Sequence, residues 1–90
     1  MATVFLPRVL EPAVGSMRRL EVGGGTLEEA IGFLLDRLPT LRVHLFDEEG
    51  RLRPHVLCFV DGHQTRLEDP NRPISGRTEI TFLQAVSGGS

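Results

Sequence analysis

The stretch Thr26-Leu27-Glu28-Glu29-Ala30-Ile31-Gly32-Phe33-Leu34-Leu35-Asp36-Arg37-Leu38-Pro39 reads as one amphipathic helix. Leu27, Ala30, Ile31, Leu34, Leu35 and Leu38 recur at the spacing that puts side chains on a single helical stripe. Thr26 offers a hydroxyl acceptor to the free N–H groups of the first turn, and Glu29 three residues later completes a capping box. Glu28 and Glu29 suit the positive end of the helix dipole and Arg37 the negative end. Pro39 cannot continue the helix and disfavours helical backbone just before it. Gly32 costs about 1 kcal/mol relative to Ala, and a close backbone neighbour is its expected reason. A stripe this short predicts a helix packed on a core, not a coiled-coil seam.

Strand signals lie on both sides of this helix. Before it, Thr3 to Leu10 reads as a strand in which Pro7 lacks a ladder donor, so that part is an edge or an end. Glu11 to Ser16, with Pro12 and Gly15, reads as a turn. Met17 to Val22 reads as the return strand, with Leu20 and Val22 on the core face. Gly23-Gly24-Gly25 is a connector: a phosphate loop of the Walker type needs Lys, and Glu28 breaks the dinucleotide fingerprint. After the helix, Leu41 to Phe46 fits a strand or a short helical turn. Asp47-Glu48-Glu49-Gly50 is an acidic turn without the ligand spacing of a calcium loop. His55 to Val60 is an apolar strand, Asp61-Gly62 a hairpin turn, and Gln64 to Leu67 its return. Asp69 to Gly76, with Pro70, Pro73 and Gly76, leaves no room for a second long helix. Thr78 to Leu83 is the last strand, with Ile80 and Phe82 on one face and Leu83 on the other.

The order is therefore β-β-α-short element-β-β-β. The missing second long helix excludes a ferredoxin-like arrangement, and the helix itself excludes an all-β barrel. What remains is an α+β protein: a mixed sheet with one main helix across one face, the β-grasp (ubiquitin-like) roll. In such a roll the first and last strands are expected side by side. One domain is expected over residues 1–86, followed by a C-terminal tail over residues 87–90.

Composition narrows the chemistry. The net charge of −2 gives no electrostatic support to nucleic-acid binding. All ten basic residues are Arg and none is Lys, which excludes a Schiff-base or P-loop Lys within these residues. No apolar run has membrane-spanning length, so a cytoplasmic protein without membrane association is expected. Cys58, the single cysteine, has no disulfide partner and sits within an apolar strand as a buried small hydrophobe. His44, His55 and His63 are too far apart in sequence to share a helical turn, and no Cys pairs with them, so no metal site is expected. Ser16, Ser75, Ser87 and Ser90 lack a nucleophile-elbow context. No constellation points to an enzyme, and no cofactor of the chain's own is expected.

Beyond the last strand the chain reads Gln84-Ala85-Val86-Ser87-Gly88-Gly89-Ser90. A strand followed by Ser87, Gly88 and Gly89 offers a thread with no bulky side chain. The strand Thr78-Glu79-Ile80-Thr81-Phe82-Leu83, this diglycine, the Leu-rich helix and Val60-Asp61-Gly62 together resemble the MoaD/ThiS family of ubiquitin-like sulfur carriers. Leu6-Pro7 with Leu10, and Asp47 to Arg53, look most like its CysO-like branch, which serves cysteine biosynthesis. Arg77 departs from the family pattern, which has Asp at that turn.

The resemblance implies that an E1-like adenylyltransferase uses ATP to adenylate Gly89, with Gly88 as its required neighbour. A sulfurtransferase or other sulfur donor then converts the adenylate to a thiocarboxylate for a sulfur-accepting biosynthetic enzyme. Ser90 stands in the way of that chemistry, so the resemblance implies a precursor trimmed by a JAMM-type metalloprotease. The acceptor pathway is open between cysteine, molybdopterin, thiamine and a secondary metabolite. Two other readings stay open: a modifier joined to target lysines, and a ubiquitin-like interaction domain that is never activated. Pro7 and Leu83, level with each other on the outer side of the sheet, form the expected partner surface.

Overall fold

A computed structural model describes residues 1–15 and 17–85. The expected boundary between domain and tail, and Ser87, Gly88, Gly89 and Ser90, lie outside the described residues, as does Ser16. The elements are β1 (Ala2–Phe5), α1 (Glu11–Val14), β2 (Arg19–Val22), α2 (Leu27–Arg37), α3 (Leu41–Leu45), β3 (Val56–Val60), β4 (His63–Thr65) and β5 (Glu79–Gln84). The five strands form one mixed sheet in the order β2-β1-β5-β3-β4. β1 and β5 run parallel at the centre, with Val4 opposite Ile80, and the other neighbours pair antiparallel. No helix among the described residues is long and apolar enough to cross a membrane.

The alternation of the strands sets what the sheet buries. Ala2, Val4, Leu20, Val22, Val56, Cys58, Val60, Ile80 and Phe82 face inward and are buried. Leu27, Ala30, Leu34 and Leu35 of α2 close over them, with Leu41 and Leu45 of α3 sealing one end, while Ile31 and Leu38 pack at the edge of the core. The helix stripe expected from the sequence is therefore the stripe that is buried.

The caps follow the expected chemistry with one shift. Thr26 Oγ1 accepts from the Glu29 N–H (3.2 Å), but Glu29 Oε1 accepts from the Gly25 N–H (2.7 Å), one residue before the cap. Gly24, at φ +106°, makes this fit possible: a Cβ there would lie 2.7 Å from the Glu29 Cβ. The helix ends at Leu38, whose N–H donates to Leu34 O just before Pro39. Gly32 contradicts the expectation of a close backbone neighbour: a Cβ added there would meet nothing within 4 Å, and nothing else in the structure explains the glycine.

Four segment boundaries depart from the sequence reading. The first strand stops at Phe5, not Leu10: Pro7 ends the ladder, and Arg8–Leu10 forms a 3-10 turn leading into α1. The expected turn at Glu11 to Ser16 is thus a short helix as far as Val14, with Pro12 in its first turn, where the missing N–H costs nothing. β2 begins at Arg19, two residues later than expected. The hairpin return is His63–Thr65, displaced from Gln64 to Leu67, because Leu67 takes a positive φ of 63° that ends the extended run. The ambiguous stretch at Leu41 resolves as helix α3. Asp61 and Gly62 both have positive φ, as a tight hairpin turn requires.

Candidate functional site

The topology brings several chain ends to one end of the sheet. Because β1 and β5 are parallel, Phe5 and Gln84 leave the sheet together, and the antiparallel strands β2 and β3 start there. The Ala85 N–H donates to His55 O (2.7 Å), which fixes the point from which the tail departs. Val9, Leu10, Pro12, Ala13, His44 and Gln84 line a shallow cleft of about 330 Å³ beside that point.

The outer face of the sheet, which no helix among the described residues covers, carries a second feature. Its alternating positions are Phe5, Leu57, Phe59, Thr81 and Leu83. Leu83 is 43% exposed and lies opposite Leu57 across the β3–β5 ladder, while Phe5, Leu57 and Phe59 are half-buried. The half-buried Pro7 follows Phe5 by two residues, beyond the last paired positions of the β1–β5 ladder. Phe82, the next residue, is fully buried. Leu57 and Phe59 were not anticipated as part of this face. The signal was the unbroken apolar run Val56-Leu57-Cys58-Phe59-Val60, which a strand solvated on one face does not need. The Arg19 guanidinium lies 5.8 Å from the centre of the Phe5 ring at the rim of this face.

The remaining candidate groups are structural. Cys58 is fully buried, and desolvation pushes its thiol up to about 12, out of range for a nucleophile at neutral pH. Asp47 accepts from the Arg51 and Glu49 N–H groups (2.9 Å each), bonds that hold its carboxyl below the ordinary carboxylate value and fasten the acidic turn. Arg66 donates to Val56 O (3.0 Å) and Leu52 O (2.7 Å), tying the segment before β3 to the sheet edge. Among the described residues no group of three or more His, Cys, Asp or Glu side chains is placed to hold a metal ion.

A five-stranded mixed sheet, parallel at its centre, with its main helix across one face defines a ubiquitin-like protein of the β-grasp class. The solved structures to which it is similar are more specific. It matches a chain of the Amycolatopsis orientalis BexX/CysO complex at a TM-score of 0.82 and 26% identity, over 99% of this chain and 100% of that one. It matches Mycobacterium tuberculosis CysO at 0.80 and 26%, over 96% and 100%. It matches SAMP1 of Haloferax volcanii at 0.75 and 25%, over 98% of each chain. These neighbours are ubiquitin-like proteins of the MoaD/ThiS kind, as the sequence resemblance implied. No protein-family model and no curated protein sequence matches the chain.

Proposed function

We propose that this protein is a small sulfur carrier whose Gly89, once Ser90 is removed, is the working end. An E1-like adenylyltransferase joins the Gly89 carboxylate to AMP from ATP and releases pyrophosphate. Sulfur from a donor then displaces AMP, and the resulting thiocarboxylate passes its sulfur to a biosynthetic acceptor enzyme. The observation that carries this reading is the full-length likeness to CysO and SAMP1 structures, together with the sequence Ser87-Gly88-Gly89 just after the last strand. The role is that of a substrate and carrier, not of an enzyme. A sheet that ends beside the tail root supplies the handle, and Pro7 and Leu83 on its outer face supply contact for the activating partner.

A second reading, a modifier that acylates target lysines through Gly89, draws support from the likeness to small archaeal modifier proteins. Both readings share the activation step and differ in what attacks the activated carboxyl group. Intact mass of the protein from its native cells separates them. Loss of Ser90 with sulfur in place of one terminal oxygen marks a carrier, and adducts on other proteins mark a modifier.

The test of the shared step is pyrophosphate exchange by the E1-like partner. With Ser90 present, the terminal carboxyl is up to about 3.5 Å further along the thread and sits on a residue with a Cβ. Activation requires reacting atoms held within about 3 to 3.5 Å, so a displacement of that size forfeits positioning. The chain ending at Ser90 is expected to support no exchange, and the chain ending at Gly89 to support it. Equal rates for the two would remove the precursor reading.

A further inference from the structure

The sheet is open, and its two edges are β2 and β4. β2 is the longer, Arg19–Val22 against His63–Thr65. In an antiparallel ladder successive residues turn their N–H and C=O alternately toward one neighbour and the other. The Arg18 carbonyl accepts from the Leu6 N–H (2.7 Å), so Arg18, and by alternation Leu20 and Val22, face β1. Arg19 and Glu21 therefore aim their backbone groups off the edge of the sheet. No other segment among the described residues supplies a hydrogen bond to them.

The side chains of the same two residues stand exposed on the outer face, while Leu20 and Val22 are buried on the inner one. The ion pairs of the described residues, Arg18 with Glu11 and Arg51 with Glu49, leave Arg19 and Glu21 without an opposite charge. Nor does the sheet neutralise them. The Arg19 row continues through Phe5 and Thr81, and the Glu21 row through Thr3 to Glu79, which has the same sign as Glu21.

This edge fits itself. Directly opposite side chains in a ladder share a face, so a two-fold antiparallel pair of β2 strands centres on a residue, not between two. Centred on Arg19 it sets Arg19 against Arg19, and centred on Glu21 it sets Glu21 against Glu21. Centred on Leu20 it sets Arg19 of each copy against Glu21 of the other, twice. In that register the outward backbone groups of Arg19 and Glu21 also meet, each pair exchanging both hydrogen bonds. Charge on an edge strand ordinarily deters pairing; here two signs two residues apart deter the neighbouring registers and favour one.

We propose that the β2 edge is a docking site for a second copy of this chain, joined antiparallel about Leu20 into one continuous ten-stranded sheet. The pairing is isologous and closes on itself. It also brings the start of one β2 to the end of the other. There Met17 of one copy, 40% exposed, approaches Phe33 of the other, 50% exposed, whose ring lies where a Cβ on Gly23 would be 3.2 Å away. The paired segment is short against an ordinary interface, so the association is weak, with a dissociation constant of about 0.1 to 1 mM. β5 lies two strands in from this edge, so both tail roots stay free and leave at opposite ends of the joined sheet.

Sedimentation equilibrium and amide NMR on the full chain, from about 10 µM to 1 mM, test this. A monomer–dimer equilibrium is expected, with concentration-dependent shifts centred on Arg19, Leu20 and Glu21. Arg19→Glu and Glu21→Arg, both at exposed positions, are each expected to weaken association by about 10-fold, since either turns both cross-strand pairs from attraction to repulsion. Mixing the two variants should restore it, because each altered side chain then meets one of opposite sign. The double exchange Arg19→Glu/Glu21→Arg should associate with itself and not with the parent chain. That arm decides even if a single variant fails to fold. A monomer at every concentration would overturn the proposal. So would association that survives both single substitutions, a double exchange that pairs equally with the parent, or shifts centred on β4 or on Leu57 and Leu83.

Discussion

Two residues show opposite consequences of where a side chain sits. Gly32 occupies an exposed position in the middle of α2 with open space where a Cβ would be. Gly32→Ala is expected to raise stability by about 0.5 to 1 kcal/mol in chemical denaturation, the difference in helix propensity. Gly24→Ala, by contrast, combines a positive φ with a collision at Glu29 and is expected to destabilise. Cys58 gives a pH signature. Burial raises its folded-state pKa to about 12, above the ordinary thiol value of 9.0, so the native state holds a proton that the unfolded state releases. Stability is therefore full below pH 9 and falls as pH rises from 9 towards 12, with a limiting slope of about 1.4 kcal/mol per pH unit. The chain contains no Lys and no Tyr, the other side chains that titrate in this window. Cys58→Ala is expected to flatten the slope above pH 9, whatever it does to absolute stability, and a slope that survives this change would assign the effect elsewhere.

At the scale of elements, β5 has a core face and an exposed outer face, and the two predict different consequences of substitution. Phe82 is buried at the sheet centre and Leu83, its neighbour, faces outward at 43% exposure opposite Leu57. Leu83→Asp is expected to leave the fold cooperative, since it buries no charge in the core, and to weaken binding of the activating partner by about 1 to 2 kcal/mol. Phe82→Ala in the same strand is expected to cost about 3 to 5 kcal/mol of stability. Circular dichroism beside a binding isotherm separates the two, and unfolding of Leu83→Asp would mean that the outer face belongs to the core.

The elements that were legible in the sequence are those whose burial pattern is simple. α2 has one apolar stripe and β5 one apolar face. The Arg8 to Val14 segment was not legible, because Pro7 and Pro12 read as breakers of a strand and a turn. In the structure one ends β1 and the other starts a helix. The outer-face role of Leu57 and Phe59 was hidden for another reason. A doubly apolar strand announces that both faces are covered, and only the topology says that here one of them is not covered by any helix among the described residues.

For the molecule as a whole, the consequential facts are the parallel pairing of β1 with β5 and the absence of lysine. An activated Gly89 is an acylating agent, and the amines most able to consume it are those of its own chain. No lysine side chain is present to do so, and arginine stays protonated and non-nucleophilic at neutral pH. Thr3 pairs with Glu79 at the end of the sheet opposite the tail root. From there to Ala85 the strand runs about 20 Å at the usual rise per residue. Four residues from Ala85 to Gly89 span at most about 14 Å, so the tail cannot return to the start of its own β1 even when fully extended. A reaction containing the Gly89-terminated protein, ATP, the E1-like enzyme and a sulfur source is therefore expected to yield no self-linked ladder on gels and no cyclised monomer by mass. The control adds a lysine on the exposed outer side of α2, Asp36→Lys, which restores an acceptor without disturbing the buried stripe. With the modifier reading, self-linkage should appear in that variant alone; with the carrier reading, it should appear in neither. A ladder on the lysine-free chain that persists after the N-terminal amine is blocked would show an acceptor of another kind, and would sink the idea that the composition protects the activated tail.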